Sequence, residues 1–197
     1  MKAGLALFDF DGTITWKDSA TLFYKTLYNS PIVFVYRHLL LCLPQYISYR
    51  LKLTDYIPLK RRRLQVHVGD LTEDNFKRKV LEFQQVDLPS VIKVSALDRI
   101  SWHKNQGHEI WVVSASYDFL LSEWCKQMNI GLIVNLTVRN QHTCIFEGED
   151  CNFNNKVHQI RKRVNLDDYS IVYAYGDSDG DMPMLALAHK PYFNYLK

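Results

Sequence analysis

Apolar and polar positions follow two different periods along this chain, and the change of period divides it. A short apolar run, Leu5-Ala6-Leu7-Phe8, predicts a buried strand. From Ser19 to about Val94 apolar residues recur every three or four positions, as at Phe23, Leu27 and Tyr28 and again at Phe76, Val80 and Phe83. That is the period of helices with one packed face. Pro31, Pro44, Pro58 and Pro89 cut the stretch into several helices, and Thr72 stands as an N-cap ahead of Glu73 and Asp74. After this stretch the pattern becomes that of short strands between helices. Residues 108–113 predict a strand after Gly107, Tyr117 to Met128 a helix, and Gly131 to Val134 a strand. Residues 136–139 and 143–146 alternate around Asn140-Gln141-His142 and predict a hairpin. Residues 155–164 predict a basic helix, 171–175 a strand and 182–188 a last helix.

Strands alternating with helices give an α/β class with a mostly parallel sheet covered on both faces. The helical stretch interrupts that alternation after the first strand. It reads as an inserted all-helical cap over residues 16–98, with a core formed by 1–15 and 99–197.

Composition narrows the function classes. The 197 residues suffice for one core with an accessory lobe, and 47% hydrophobic with 23% charged residues is ordinary for a globular chain. A net charge of +3 does not point to nucleic acid. The positive charge is uneven, however, with Lys60, Arg61, Arg62 and Arg63 in a run. Two readings stand: a solvated helix face, or a patch for an anionic substrate group or membrane surface. Cys42, Cys125, Cys144 and Cys151 are scattered, which suits reduced thiols in a cytoplasmic protein better than a disulfide framework or zinc site. The seven histidines lack metal-ligand spacing. The residues after Met1 do not form a signal peptide. The most apolar segment, Ile32 to Tyr49, carries Arg37, His38 and Pro44 and is too short and interrupted to span a bilayer. It reads as a buried helix pair broken at Pro44, or as an element for a membrane surface or a partner.

Three polar clusters follow three of the strands: Asp9-Phe10-Asp11-Gly12-Thr13, Ser114-Ala115-Ser116, and Gly176-Asp177-Ser178-Asp179-Gly180-Asp181. In an open parallel sheet, ligands bind at the carboxyl ends of the strands, so the three should meet at one edge. The carboxylates of Asp9, Asp11, Asp177 and Asp181 would then crowd together and repel unless a cation sits among them. An all-oxygen donor set selects a hard cation, with Mg2+ favoured, and a site of this kind suits a phosphate.

Asp9-Phe10-Asp11-Gly12-Thr13-Ile14-Thr15 resembles the first motif of the haloacid-dehalogenase superfamily of phosphatases. Val112-Val113-Ser114 resembles its second, Lys156 fits the third, and the 176–181 cluster fits the fourth, in the family's order. The insertion between the first and second motifs resembles the helical cap of the phosphoserine-phosphatase-like branch. The resemblance implies a Rossmann-like core and an aspartyl-phosphate formed on Asp9. Asp11 would protonate the leaving oxygen and later activate water. Ser114 would donate to a phosphoryl oxygen, or act as a helix N-cap, and Lys156 would neutralise charge on Asp9. Asp177, Asp181, Asp9 and Asp11 would form the metal set, with Asp11 contributing its backbone carbonyl. Thr13 would orient the aspartates, and Asp179 would serve as a turn residue. Asp18, Ser114, Ala115, Arg61 and Arg62 form the expected substrate-binding set. Asp18 stands where that branch often has Glu, and Ala115-Ser116 where it often has glycines; both differences turn away from phosphoserine as the substrate.

The expected activity is hydrolysis of a small phosphorylated metabolite. The alternatives are a membrane-associated lipid phosphatase resembling the phosphatidylglycerophosphatases of the branch, which would touch an anionic membrane surface weakly, or a phosphotransferase. A non-catalytic binding protein is disfavoured, because Asp9, Asp11, Lys156 and Asp177 are all present.

Overall fold

The computed structural model describes residues 2–140 and 143–196. Strand β1 (Leu5–Phe8) opens the fold and is followed by helices α1 (Ser19–Thr26) and α2 (Pro31–Val35). A π-helical turn, Tyr36–Leu40, leads to α3 (Leu43–Arg50), then α4 (Ile57–Val68) and α5 (Glu73–Glu82). A second π-helical turn, Phe83–Asp87, runs into α6 (Leu88–Val91), and α7 (Val94–Asn105) follows. The chain then passes through β2 (Glu109–Tyr117), α8 (Asp118–Gln127), β3 (Gly131–Asn135), β4 (Thr137–Arg139) and β5 (Cys144–Phe146). It continues with α9 (Asn154–Arg163), β6 (Val172–Gly176), α10 (Met182–Leu185) and β7 (Lys190–Phe193). Pro31, Pro44 and Pro58 sit in the first turn of a helix, where the missing N–H leaves no hydrogen bond unmade, and Pro89 lies in α6, directly after the second π-helical turn. Thr72 caps α5 by accepting from Asn75 N at 3.4 Å.

The main sheet has the order β3-β2-β1-β6-β7, and every pairing in it is parallel. β4 and β5 pair antiparallel as a separate hairpin; Gln141 and His142, expected in its turn, lie outside the described residues. β1 is buried along its whole length. Ala6 and Phe8 face a cluster that takes in Ala96 and Ile100 of α7 and Leu120 and Trp124 of α8. Leu5 and Leu7 face the other cluster, with Ile160 of α9 and Met184 of α10. The fold is thus a Rossmann-like sheet with helices on both faces. The chain leaves β1 toward β2 on one side and leaves β6 toward β7 on the other. The crevice between β1 and β6 is therefore the switch point where α/β sheets bind ligands.

Several expectations change. β2 continues through Ser114-Ala115-Ser116 to Tyr117, with its register against β3 shifting between Val113 and Tyr117. β7 was not foreseen, because Lys190-Pro191-Tyr192-Phe193 is a short, largely exposed edge strand with a proline and no alternation. The last helix ends at Leu185, short of Ala188. The line drawn between residues 98 and 99 passes through α7, which packs on β2. The Ile32 to Tyr49 segment is not a buried helix pair: within it only His38 and Cys42 are buried.

Candidate active site

The strand register aligns the clusters. Phe8 lies opposite both Val112 and Tyr175, so Asp9 follows at the same level of the sheet as Val113 and Gly176. One ligand oxygen from each of Asp9, Asp177 and Asp181 lies within 4.8 Å of the others. Gly12 makes this approach feasible. Its φ of 88° is left-handed, and a Cβ there would overlap the Asp177 carboxylate. Thr13 Oγ1 donates to Asp177 Oδ1 at 3.2 Å. Lys93 pins the same loop from below, donating to Gly12 O at 2.5 Å and Leu196 O at 2.9 Å.

Lys156 supplies the compensating charge within the protein. Its Nζ lies 2.6 Å from Asp9 Oδ1 and 2.5 Å from Asp181 Oδ1, and all three side chains are buried. Asp181 Oδ2 accepts from Asp177 N, Ser178 N and Ser178 Oγ at 3.2, 3.0 and 2.8 Å. The start of α9 is tied to this turn, because Phe153 N donates to Gly180 O at 3.1 Å. Burial pushes the Asp9 carboxyl up to about 6, against the pull of Lys156. Burial also raises Asp177. For Asp181, burial would raise the value, but Lys156 and the Ser178 donors outweigh it and hold it below the ordinary range. Burial likewise works against the Lys156 cation, and the two carboxylates overcome it.

The Asp11 carboxylate lies outside the acidic triad. It turns to the N-terminus of α1, accepting from Ser19 N at 2.7 Å and from Ser19 Oγ at 3.1 Å. Burial first, then Asp18 and Asp9, raise its proton affinity well above the usual range. Two carboxyls two residues apart are thus given different surroundings: one beside a buried ammonium, the other against backbone and hydroxyl donors. That is the arrangement by which one acid stays ionised while its neighbour holds a proton.

The clusters border a cavity of about 210 Å³ lined by Asp9, Asp11, Asp18, Ser114, Ala115 and Lys156 among others. Ser114 is buried within β2 and accepts from Ser116 N at 3.0 Å. It is not a helix cap, because α8 starts only at Asp118. Asp18 caps α1, accepting from Thr21 N at 2.6 Å, and still borders the cavity. Asp179 is exposed in the turn after β6.

Arg61 and Arg62 do not reach the cavity. Arg61 lies over the Phe146 ring at 5.1 Å, and Arg62 donates to Leu41 O at 3.1 Å. Their neighbours Lys60 and Arg63 line it instead, together with Tyr56. Positions 56, 60 and 63 are four and three residues apart and share one face of α4, whereas 61 and 62 lie off it. Lys60 is buried, donates to Ala115 O at 2.5 Å and pairs with the Asp150 carboxylate. Asn135 Nδ2 reaches the same two acceptors, at 2.8 Å to Ala115 O and 2.7 Å to Asp150 Oδ1. Ser19, Asn135 and Asp150 carried no motif. The three-four spacing of Tyr56, Lys60 and Arg63 was the one available signal.

Comparison with known proteins bears on the same arrangement. Protein CicA of Caulobacter vibrioides is 26% identical over 188 residues, covering 93% of this chain and 82% of the relative. A solved protein of unknown function from Bordetella pertussis Tohama I aligns with a TM-score of 0.80 at 19% identity, over 95% of this chain and 88% of that one. A phosphoserine phosphatase solved as a phospho-aspartyl intermediate analogue aligns with a TM-score of 0.66 at 18% identity, over 95% and 84%. A family model for the haloacid dehalogenase-like hydrolases matches residues 6–186, a span that runs from β1 past the acidic turn. With nearly its whole length matched, the chain belongs to the haloacid dehalogenase-like hydrolase family.

Proposed function

We propose that this hydrolase is a Mg2+-dependent phosphatase that cleaves phosphomonoesters through an aspartyl-phosphate on Asp9. The observation that carries the reading is the unequal pair of acids. Asp9 sits 2.6 Å from Lys156 in a triad of carboxylates, while Asp11 is held apart by Ser19 with a raised proton affinity. The phospho-aspartyl analogue of the phosphoserine phosphatase with this fold supports it.

Asp9, Asp177 and Asp181 fit a hard divalent cation, because they bring three carboxylates within 4.8 Å, and Lys156, paired to two of them, and Lys93, acting from the Gly12 loop, supply fewer positive charges than the triad holds negative ones. Bound there, Mg2+ would supply positive charge against the transferring phosphoryl group. The remaining work falls to the protein. An Asp9 oxygen attacks phosphorus, the bond to the ester oxygen breaks, and Asp11 gives that oxygen its proton. Water then attacks phosphorus, Asp11 takes the water's proton, and the bond to Asp9 breaks to release phosphate. Ser114 Oγ already accepts from Ser116 N, which leaves its O–H to donate to a phosphoryl oxygen. Lys156 stays paired throughout and keeps Asp9 ionised below neutrality. The cavity suits a small phosphorylated metabolite whose remainder meets Asp18, Lys60, Arg63 and Tyr56.

Hydrolysis of an aryl phosphate tests the reading. Asp9→Asn lowers kcat at least about a thousandfold. Chelation of divalent ions stops the wild type, and Mg2+ restores it. Hydroxylamine attacks the acyl carbon of the aspartyl-phosphate, displaces phosphate and leaves a hydroxamate label on the wild-type protein but not on Asp9→Asn. A wild-type rate indifferent to chelation overturns the metal assignment, and a labelled Asp9→Asn protein overturns the nucleophile.

A further inference from the structure

The arm formed by α2, the first π-helical turn and α3 is amphipathic in the reverse sense. Its outward positions are apolar: Ile32, Val33, Val35, Tyr36, Leu39, Leu40, Leu43, Tyr46, Ile47 and Tyr49 are all exposed, Ile32 to 80%. The turn that follows adds Leu51 and Leu53, the latter 73% exposed. Its inward positions are half polar. Arg37 turns in to the Val66 carbonyl, and His38 Nδ1 meets His67 Nε2 at 3.1 Å. Gln45 Oε1 is buried with no hydrogen-bond partner, and Ser48 Oγ accepts from Thr54 Oγ1 at 3.1 Å. A helix in water places its apolar stripe against the core and its polar side outward. A contiguous exposed apolar face of this size marks a surface that another phase or molecule covers.

Charge identifies the cover. Residues 19–69 hold eight Lys and Arg, namely Lys25, Arg37, Arg50, Lys52, Lys60, Arg61, Arg62 and Arg63, against one acid, Asp55. The whole chain carries only +3, so the remainder is net acidic and the positive charge is concentrated around this arm. Arg50, Lys52 and Arg62 are exposed there, Arg62 donating to Leu41 O of the arm. A second copy would bring the same positive rim against itself, since a two-fold contact is self-complementary only where charges alternate. Among the described residues no helix is long and apolar enough to cross a membrane. Aliphatic side chains flanked by tyrosines and cations suit the boundary between lipid headgroups and acyl chains.

We infer that the outer face of residues 32–53 docks on an anionic lipid bilayer surface, with the apolar side chains entering the headgroup boundary and Arg50, Lys52 and Arg62 meeting acidic headgroups. The docked face adjoins the catalytic cavity. Tyr49 of α3 packs edge-on against Tyr56 at 5.4 Å, and Tyr56 lines that cavity. The inference does not rest on the phosphatase reading, and its readout is binding.

Flotation of the full chain with vesicles tests it. At low ionic strength the wild type floats with phosphatidylcholine vesicles containing phosphatidylglycerol at least about tenfold more than with phosphatidylcholine alone, and salt weakens the binding. Leu40→Ser with Ile47→Ser abolishes flotation by removing the apolar contact, and Arg50→Glu with Lys52→Glu abolishes the preference for acidic lipid. Circular dichroism melts matching the wild type show that both variants fold. Absence of flotation with acidic vesicles overturns the inference, as does flotation that neither pair of substitutions changes. A solution dimer that Leu40→Ser with Ile47→Ser dissociates assigns the face to a second copy instead.

Discussion

The sheet and the α2–α3 arm use their side chains in opposite ways. In β1 every residue is fully buried, and the polar groups begin only where the strand ends, at Asp9. There each buried charge has a partner: Lys156 between Asp9 and Asp181, Lys60 on Asp150, Asp11 on Ser19. In the arm, apolar side chains face outward while Arg37, His38 and Gln45 turn in. The sheet's composition follows from packing within the chain, because it removes apolar surface from water and compensates what polarity it buries. The arm's composition does not, so its selection lies in contacts made outside the chain.

The largest effect is expected where buried charge is compensated. Lys156→Met removes the ammonium held between the buried carboxylates of Asp9 and Asp181 and costs about 3 kcal/mol of stability near neutral pH. Burial already holds Asp9 up at about 6 with the ammonium in place, and without it Asp9 rises further while Asp181 loses the pairing that helps hold it low. The loss is therefore greatest above that value and shrinks as pH falls and the acids protonate. Chemical denaturation in chelator, at neutral and acid pH, measures it. A gap to wild type that does not change with pH would show that the charges are compensated by something other than Lys156.

A pair of leucines sharpens the contrast next. Leu7 in β1 is fully buried and Leu40 in the arm is 56% exposed. Leu7→Ala costs about 2–5 kcal/mol through lost burial and the cavity left behind. Leu40→Ala changes stability by less than about 0.5 kcal/mol. Denaturant midpoints in the absence of lipid measure both. A large loss from Leu40→Ala would place the arm's outer face in the folding core after all.

The same contrast explains what was legible in the sequence. The sheet could be read because Leu5-Ala6-Leu7-Phe8 and the acids after it encode strand and site together, and parallel register brings Asp9 and Asp177 to one crevice without further instruction. Lys156 was placed from motif order, though a lysine on a basic helix resembles any solvated one until the start of α9 is seen tied to Gly180. The helical stretch was legible as helices, but not in its facing. Arg61 and Arg62 were preferred to Lys60 and Arg63 because a run of like charges has no phase until Tyr56 on the same face shows which side meets the cavity. The sequence of the arm admits either a buried helix pair or an element for a membrane surface or partner, because apolar periodicity reports that a face is covered, not by what. Ser19, Asn135 and Asp150 were missed because their partners lie in distant segments and no local pattern marks them.

The smallest effect probes the inner side of the arm. His67 packs flat on Tyr24 at 4.5 Å, accepts or donates at Tyr28 Oη at 2.9 Å, and meets His38 at 3.1 Å. Burial pushes His67 down to about 3, with His38, Arg37 and Arg63 adding to the effect, and burial pushes His38 down to about 4. In the unfolded chain both take up a proton near 6.5. As pH falls below that value the unfolded state binds protons that the folded state refuses, so the stability present above it is lost progressively toward about 3. The raised acids Asp9 and Asp11 run in the opposite sense, so the wild-type curve alone is mixed. Its difference from His67→Gln isolates one histidine. Melting curves from neutral to mildly acid pH should show the wild type losing a few degrees relative to His67→Gln, the gap opening below about 6.5. Parallel curves would mean that His67 takes up its proton within the folded arm, and that this buried polar side is open to water.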